Sequence, residues 1–157
     1  MRMIPAILLL FALAVPAATL AQDMPAAPAD ELTAVNAEAV AFGPIEVPGF
    51  DPGLQIAVIH GDPNAESGDY TIRLKLPEDY RFPAHYHPKN EHLTVLSGTF
   101  LLAMGTSGDE EALQSYSPGA FLYIPAEHPH YGGVEDETVV QLHGEAPFQI
   151  LLAQTTE

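Results

Sequence analysis

No segment beyond residue 42 carries a long apolar pattern of helical period, and that absence constrains the fold more than any other feature. After Phe42-Gly43-Pro44 the chain breaks into short β-type runs separated by glycine, proline and aspartate. The runs are Leu54 to His60, Tyr70 to Leu76, Phe82 to His87, Glu91 to Leu96, Thr99 to Met104, Gly119 to Ile124, His130 to Gly132, Thr138 to His143 and Phe148 to Ala153. Gly61-Asp62-Pro63 and Pro77-Glu78-Asp79 close two of them, Ser97-Gly98 is expected to make a tight hairpin, and Gly105 to Gln114 reads as a polar, acidic loop. About nine short strands with such punctuation define an all-β barrel or sandwich, an architecture that can enclose one ligand cavity.

The N-terminal part has a different character. Arg2 precedes a nearly unbroken apolar run from Ile4 to Leu20, with small residues leading to Ala21. That layout predicts a secretory signal peptide over residues 1–21, cleaved after Ala21, and a periplasmic or secreted protein. The run is short for a membrane span and interrupted by Pro5 and Pro16, so no membrane attachment is expected after cleavage. Residues 22–41, rich in alanine, proline and acid, read as a flexible leader in which Glu31 to Ala39 has the composition of a short helix. Residues 42–157 then form one β domain. The chain has no cysteine, which excludes a lipoprotein anchor and disulfides.

Charge narrows the partners. There are 21 acidic residues against 5 lysines and arginines, and removal of residues 1–21 leaves only Arg73, Lys75, Arg81 and Lys89 as cations. Binding to nucleic acid or anionic lipid is opposed electrostatically. Asp109-Glu110-Glu111 and Glu135-Asp136-Glu137 read as solvated loop tips. Arg73 and Lys75 share a strand face and are expected to be solvated or ion-paired rather than anchoring an anionic substrate.

Chemistry concentrates in His85-Tyr86-His87-Pro88-Lys89-Asn90-Glu91. On an extended strand residues i and i+2 share a face, so His85 and His87 present two imidazoles together. Pro88 breaks the ladder, and Glu91 opens a run in which it shares a face with Leu93 and Val95. A carboxylate on an apolar face is costly unless it is paired, protonated or bound to a cation. Two imidazoles and a carboxylate suit a divalent transition metal.

A second motif, Gly119-Ala120-Phe121-Leu122-Tyr123-Ile124-Pro125-Ala126-Glu127-His128-Pro129-His130, makes the pattern specific. Together the two stretches resemble the cupin superfamily. His85, His87, Glu91 and Gly98 fall at the spacings of its first motif, with Asp79 where a leading glycine is usual. Gly119, Pro125 and His130 fit the second, with Glu127 in place of its inner glycine and Val134 in place of its asparagine. The resemblance implies a cupin-type jelly-roll β-barrel and a metal ion on His85, His87, Glu91 and His130. The ion would be Mn, Fe, Co, Ni, Cu or Zn, with one or two positions open for water, oxygen or a small ligand. Cupins serve many reactions, so the resemblance does not name one.

Other candidates are open at this level. His128 reads either as a pocket group or as a mouth residue in a proline-rich turn, and His143 as a pocket acid or base or as an outward side chain, depending on which face packs inward. His92 has the wrong parity for the site, and His60 ends a strand. Tyr86, Phe121, Tyr123 and Tyr131 are read as strand packing, and Phe100, Leu102 and Met104 as a stripe that packs the core by default and could wall the cavity. Two functions follow: a metal-dependent, oxygen-using oxidoreductase acting on a small organic molecule, or a non-catalytic module that binds a metal or small ligand. A homodimer is expected because open sheet edges need covering.

Overall fold

The computed structural model describes residues 32–154. The predicted signal peptide and the first part of the leader lie outside these residues. Within the leader's remainder, the helix expected over Glu31 to Ala39 is only a 3-10 turn, Ala37–Ala39. Asn36 makes no side-chain cap there and the turn buries no residue, so nothing propagates a helix.

Eleven strands follow: β1 Gly43–Pro44, β2 Gln55–His60, β3 Asp69–Leu76, β4 Arg81–Tyr86, β5 Glu91–Ser97, β6 Phe100–Met104, β7 Gln114–Tyr116, β8 Phe121–Ile124, β9 His130–Val134, β10 Thr138–Glu145 and β11 Leu151–Leu152. They form two antiparallel sheets, ordered β1-β2-β3-β10-β5-β8 and β11-β4-β9-β6-β7. The all-β, single-domain expectation holds.

Alternation along the strands explains the sandwich. In β3, Tyr70, Ile72 and Leu76 point inward while Thr71, Arg73 and Lys75 do not. In β10, Thr138, Val140 and Leu142 are at most 1% exposed. In β5, Glu91 is as buried as Leu93 and Val95 on the same face. Burying an Ile, Leu, Val or Phe contributes about 1.5–3 kcal/mol each, so the shared inner face of the two sheets holds the fold together.

Four expectations change. Ser97-Gly98 is a tight turn, but β5 and β6 belong to different sheets, so it carries the chain across the sandwich instead of closing a hairpin. Both flanks of β5 are already occupied by β10 and β8. Gly98 has φ +77°, and a Cβ there would collide with Thr138, which explains the residue. The acidic loop ends in a strand, β7, that pairs with β6. The strand expected from Phe148 to Ala153 shrinks to β11, because Phe148 donates its N–H to the Pro63 carbonyl and turns inward. Strand β9 extends through Gly132-Gly133-Val134, where the bare glycines let β6 and Tyr80 approach closely.

Candidate metal centre

The site lies between the sheets. His85 on β4 is directly opposite His130 on β9 in the five-stranded sheet. Glu91 opens β5 in the facing sheet, and His87 sits in the link from β4 to β5. The sequence-predicted residues His85, His87, Glu91 and His130 therefore converge from three strands and one connection. All four are buried, at 2–6% exposure.

The ring orientations carry the chemistry. His85 Nδ1 faces the Pro83 carbonyl at 2.9 Å, His87 Nδ1 the Gln149 carbonyl at 2.7 Å, and His130 Nδ1 the His128 carbonyl at 3.1 Å. A carbonyl only accepts, so each Nδ1 carries the hydrogen and donates it. Each Nε2 is thereby left to face the interior, the arrangement by which outer hydrogen bonds orient metal-ligating histidines. One ring nitrogen from each histidine falls in a cluster whose members lie within 4.8 Å of one another, and the three could hold a metal ion. Glu91 Oε2 is 3.3 Å from His87 Nε2 and 3.8 Å from His130 Nε2.

Electrostatics follow from burial and from this closeness. Burial, then the neighbouring His130 and His87, push His85 down to about 3. His130 is also lowered, chiefly by burial. Burial pulls on His87 too, but Glu91 and the Gln149 carbonyl outweigh it, and its pKa is raised. Burial opposes ionisation of Glu91, yet His87 and the other two imidazoles outweigh it and its pKa is lowered. Without an ion, the His87 imidazole at 3.3 Å is the main offset to the burial of the Glu91 carboxylate. A divalent cation would do the same for all four groups. Three clustered imidazoles with a buried carboxylate beside two of them fit a transition metal on donor chemistry.

Two loops lock these residues. Glu127 N–H donates to the His87 carbonyl at 2.8 Å, and Ala126 N–H to Asn90 Oδ1 at 2.9 Å. Phe148 stacks on the His87 ring, with centroids 5.3 Å apart and planes at 20°. Of these partners only Glu127 stood out in the sequence, as a departure at a glycine position. Asn90 and Phe148 carry no motif signal, and the carbonyls belong to backbone that any residue supplies.

The site opens onto a cavity of about 50 Å³. Beyond the four polar groups its walls are aliphatic and aromatic, with only Tyr80 carrying a polar tip. Phe100 and Leu102 line it as the stripe predicted, but Met104 is 51% exposed. The alternative that put His143 in the pocket is corrected: Val140 and Leu142 take the inner face, and His143 is exposed, beside His92. His143 Nδ1 meets Thr71 Oγ1 at 3.1 Å on the outer face. His128 is likewise exposed, its ring turned onto the Ala126 carbonyl, so its contribution is its own carbonyl to His130. His60, at the end of β2, meets Thr33. Phe121 and Tyr123 are outward and more than half exposed, and they pack across the strands against His92. Arg73 bonds Gln141 and Lys75 pairs with Glu137, so neither reaches the cavity.

With two antiparallel sheets around a buried histidine cluster, the architecture is that of a cupin. The profile of the ChrR cupin-like domain matches residues 33–149, and the chain belongs to that family. Among curated proteins none matches. Solved structures with the same fold include the polyketide cyclase RemF from Streptomyces resistomycificus, 16% identical with a TM-score of 0.65 over 81% of this chain and 89% of that one. A cupin 2 conserved barrel domain protein from Rhodopseudomonas palustris is 16% identical, with a TM-score of 0.60 over 80% and 88%. The DMSP lyase DddQ from Ruegeria pomeroyi is 16% identical, with a TM-score of 0.57 over 83% and 80%.

Proposed function

We propose that this protein binds one divalent transition metal ion through His85, His87, His130 and Glu91 and uses it in chemistry on a small organic molecule, with oxygen-using oxidation as the lead reaction. The observation that carries this reading is the set of three Nδ1–carbonyl hydrogen bonds, which leaves the three Nε2 atoms as ligands, two of them within 3.8 Å of the buried Glu91 carboxylate. When bound, such an ion supplies Lewis acidity and open positions for a ligand or for oxygen. The chain's own residues hold the imidazoles in one tautomer, balance the ion with Glu91, and line the approach with apolar side chains that exclude bulk water. The same barrel serves a polyketide cyclase and a DMSP lyase among the structures it resembles, which supports a small organic substrate without choosing the reaction.

A second reading has its own support. Apart from the four polar residues, the cavity offers no free acid or base among the described residues: Tyr80 donates its hydroxyl to the Asp51 carbonyl at 2.6 Å, and His128 and His143 are outside. That favours a non-catalytic module that binds a metal or small ligand. We also propose export through the apolar N-terminal segment, a reading that rests on the Ile4 to Leu20 run alone.

Elemental analysis of protein purified from its native compartment tests the centre. Near-equal metal is expected, and its absence overturns the metal centre in both readings and leaves only the small-ligand module. Metal-dependent oxygen consumption over a panel of small substrates, lost in His87→Ala with the fold intact, separates the enzyme from the binding module. The N-terminal sequence of the same preparation tests cleavage after Ala21.

A further inference from the structure

The site's charge balance specifies what its ligand must carry. Three neutral imidazoles, one carboxylate and a divalent ion sum to a single positive charge, and the cavity walls hold nothing to alter it. Among the described residues every lysine and arginine is engaged elsewhere. Arg73 is on Gln141, Lys75 on Glu137, Arg81 on the Val134 carbonyl at 2.7 Å and Lys89 on Glu145, and none lines the cavity. No carboxylate but Glu91 lines it either. An uncompensated charge in such surroundings costs several kcal/mol.

Resting on the metal reading above, we infer that the cavity binds a small monoanion with an apolar remainder, because one negative donor makes the buried centre neutral. A cation would add to the positive charge, and a dianion would leave a second carboxylate against Leu and Phe side chains with no donor to meet it. The protein's overall charge of -16 repels anions at long range. Salt screens that repulsion beyond about 8 Å at physiological ionic strength, so the unscreened local balance decides. Size agrees. The cavity is about 50 Å³ on a measure by which one water needs roughly 10–15 Å³. Only a few non-hydrogen atoms fit beside an ion, and a longer tail must leave past the half-buried lining residues Phe50, Leu74 and Ile150.

The test uses the intact protein loaded with cobalt(II), whose visible absorption reports ligands entering its coordination sphere. It is titrated at constant ionic strength with 3-methylbutyrate and with malonate, which share a shape but carry one and two charges. The monoanion is expected to bind about tenfold or more tightly than the dianion. In Ile150→Lys, an ammonium at the mouth should narrow that ratio. Equal or tighter malonate binding overturns the inference, as does a spectrum that neither ligand perturbs, or a ratio unmoved in a folded Ile150→Lys protein. If that variant does not fold, the wild-type ratio decides. Failure of cobalt to load at near-equal stoichiometry sinks the metal reading itself, and is distinguishable because it precedes any titration.

Discussion

Asp79 and Glu127 hold the same left-handed backbone, with φ of +59° and +62°, at the two positions where the cupin motifs otherwise carry glycine. Gly98 and Gly119, at the remaining glycine positions, are also left-handed, at +77° and +91°. The departures in sequence therefore preserve the turns at a conformational cost. For an L-residue that cost is about 1–2 kcal/mol, less for aspartate, whose short polar side chain tolerates the region. Glu127→Gly is expected to stabilise the protein by about 0.5–1 kcal/mol and Asp79→Gly by less, since glycine returns part of the gain as chain entropy. Thermal unfolding of the metal-free protein measures both, and a lower Tm for Glu127→Gly would refute the strain argument.

Removing ligands should separate charge from geometry. Glu91→Gln keeps the shape of the side chain but leaves the ion without its balancing charge, whereas His87→Ala removes an imidazole. Both should weaken zinc binding by about tenfold to hundredfold or more. Glu91→Gln should also lower the pKa of His87, because the attraction that raises it is gone. Competition with a chromophoric chelator gives the affinities, and NMR titration of the metal-free imidazoles gives the pKa. Unchanged zinc affinity in Glu91→Gln would exclude that residue from the centre.

Most of this centre was legible in the chain itself, for a physical reason. The period-two rule puts His85 and His87 on one face and exposes Glu91 as a carboxylate among Leu93 and Val95, and all three are buried as that rule implies. Parity likewise turned His92 outward. It left His143 undecided, because a strand has two faces and only packing says which is inside. Val140 and Leu142, at 1% exposure, decide it. The backbone carbonyls of Pro83, Gln149 and His128 had no sequence signal, because any residue carries a carbonyl and only the fold aims it. Ser97-Gly98 marked a turn, but a turn signal does not say whether the next strand joins the same sheet.

The stacked pair of His87 and Phe148 predicts coupling between core packing and the site. Phe148→Ala should cost about 3–5 kcal/mol from lost burial and a residual cavity. Phe148→Leu should cost less, yet still weaken metal binding, since the neighbouring Gln149 carbonyl that fixes the His87 tautomer rides on the same segment. Urea unfolding and metal titration on the two variants test this. If Phe148→Leu lowers stability without touching affinity, the segment does not position His87.

Changes on the outer face should be silent. His92→Ala and His143→Ala are expected to leave metal stoichiometry unchanged and to move stability by no more than about 0.5–1 kcal/mol, the scale of a cross-strand pair. Elemental analysis of the purified variants suffices, and loss of the ion from either would restore the pocket assignment that the exposure of His143 removes.

Acid should destabilise the metal-free protein. His85 is held down to about 3 from its ordinary 6.5. Between those values the unfolded chain binds a proton that the native site refuses, so stability falls as pH drops below 6.5. His130, also lowered, acts in the same direction. The lowered Glu91 adds a contribution that is present above its ordinary 4.5 and lost as pH falls further. His87 opposes them: its raised pKa gives stability that is full below 6.5 and lost as pH rises through the folded value. The His85 shift is the large one and the His87 gain is complete by pH 6.5, so the urea midpoint should fall between pH 7 and pH 5. In His85→Gln, which has nothing to titrate at that position, the fall should be shallower. With metal bound the dependence should be steeper, because protons then compete with the ion for every ligand. A midpoint that holds steady from pH 7 to pH 5, or an equal slope in His85→Gln, would show that the buried neutral imidazole is not what makes the apo-protein acid-sensitive.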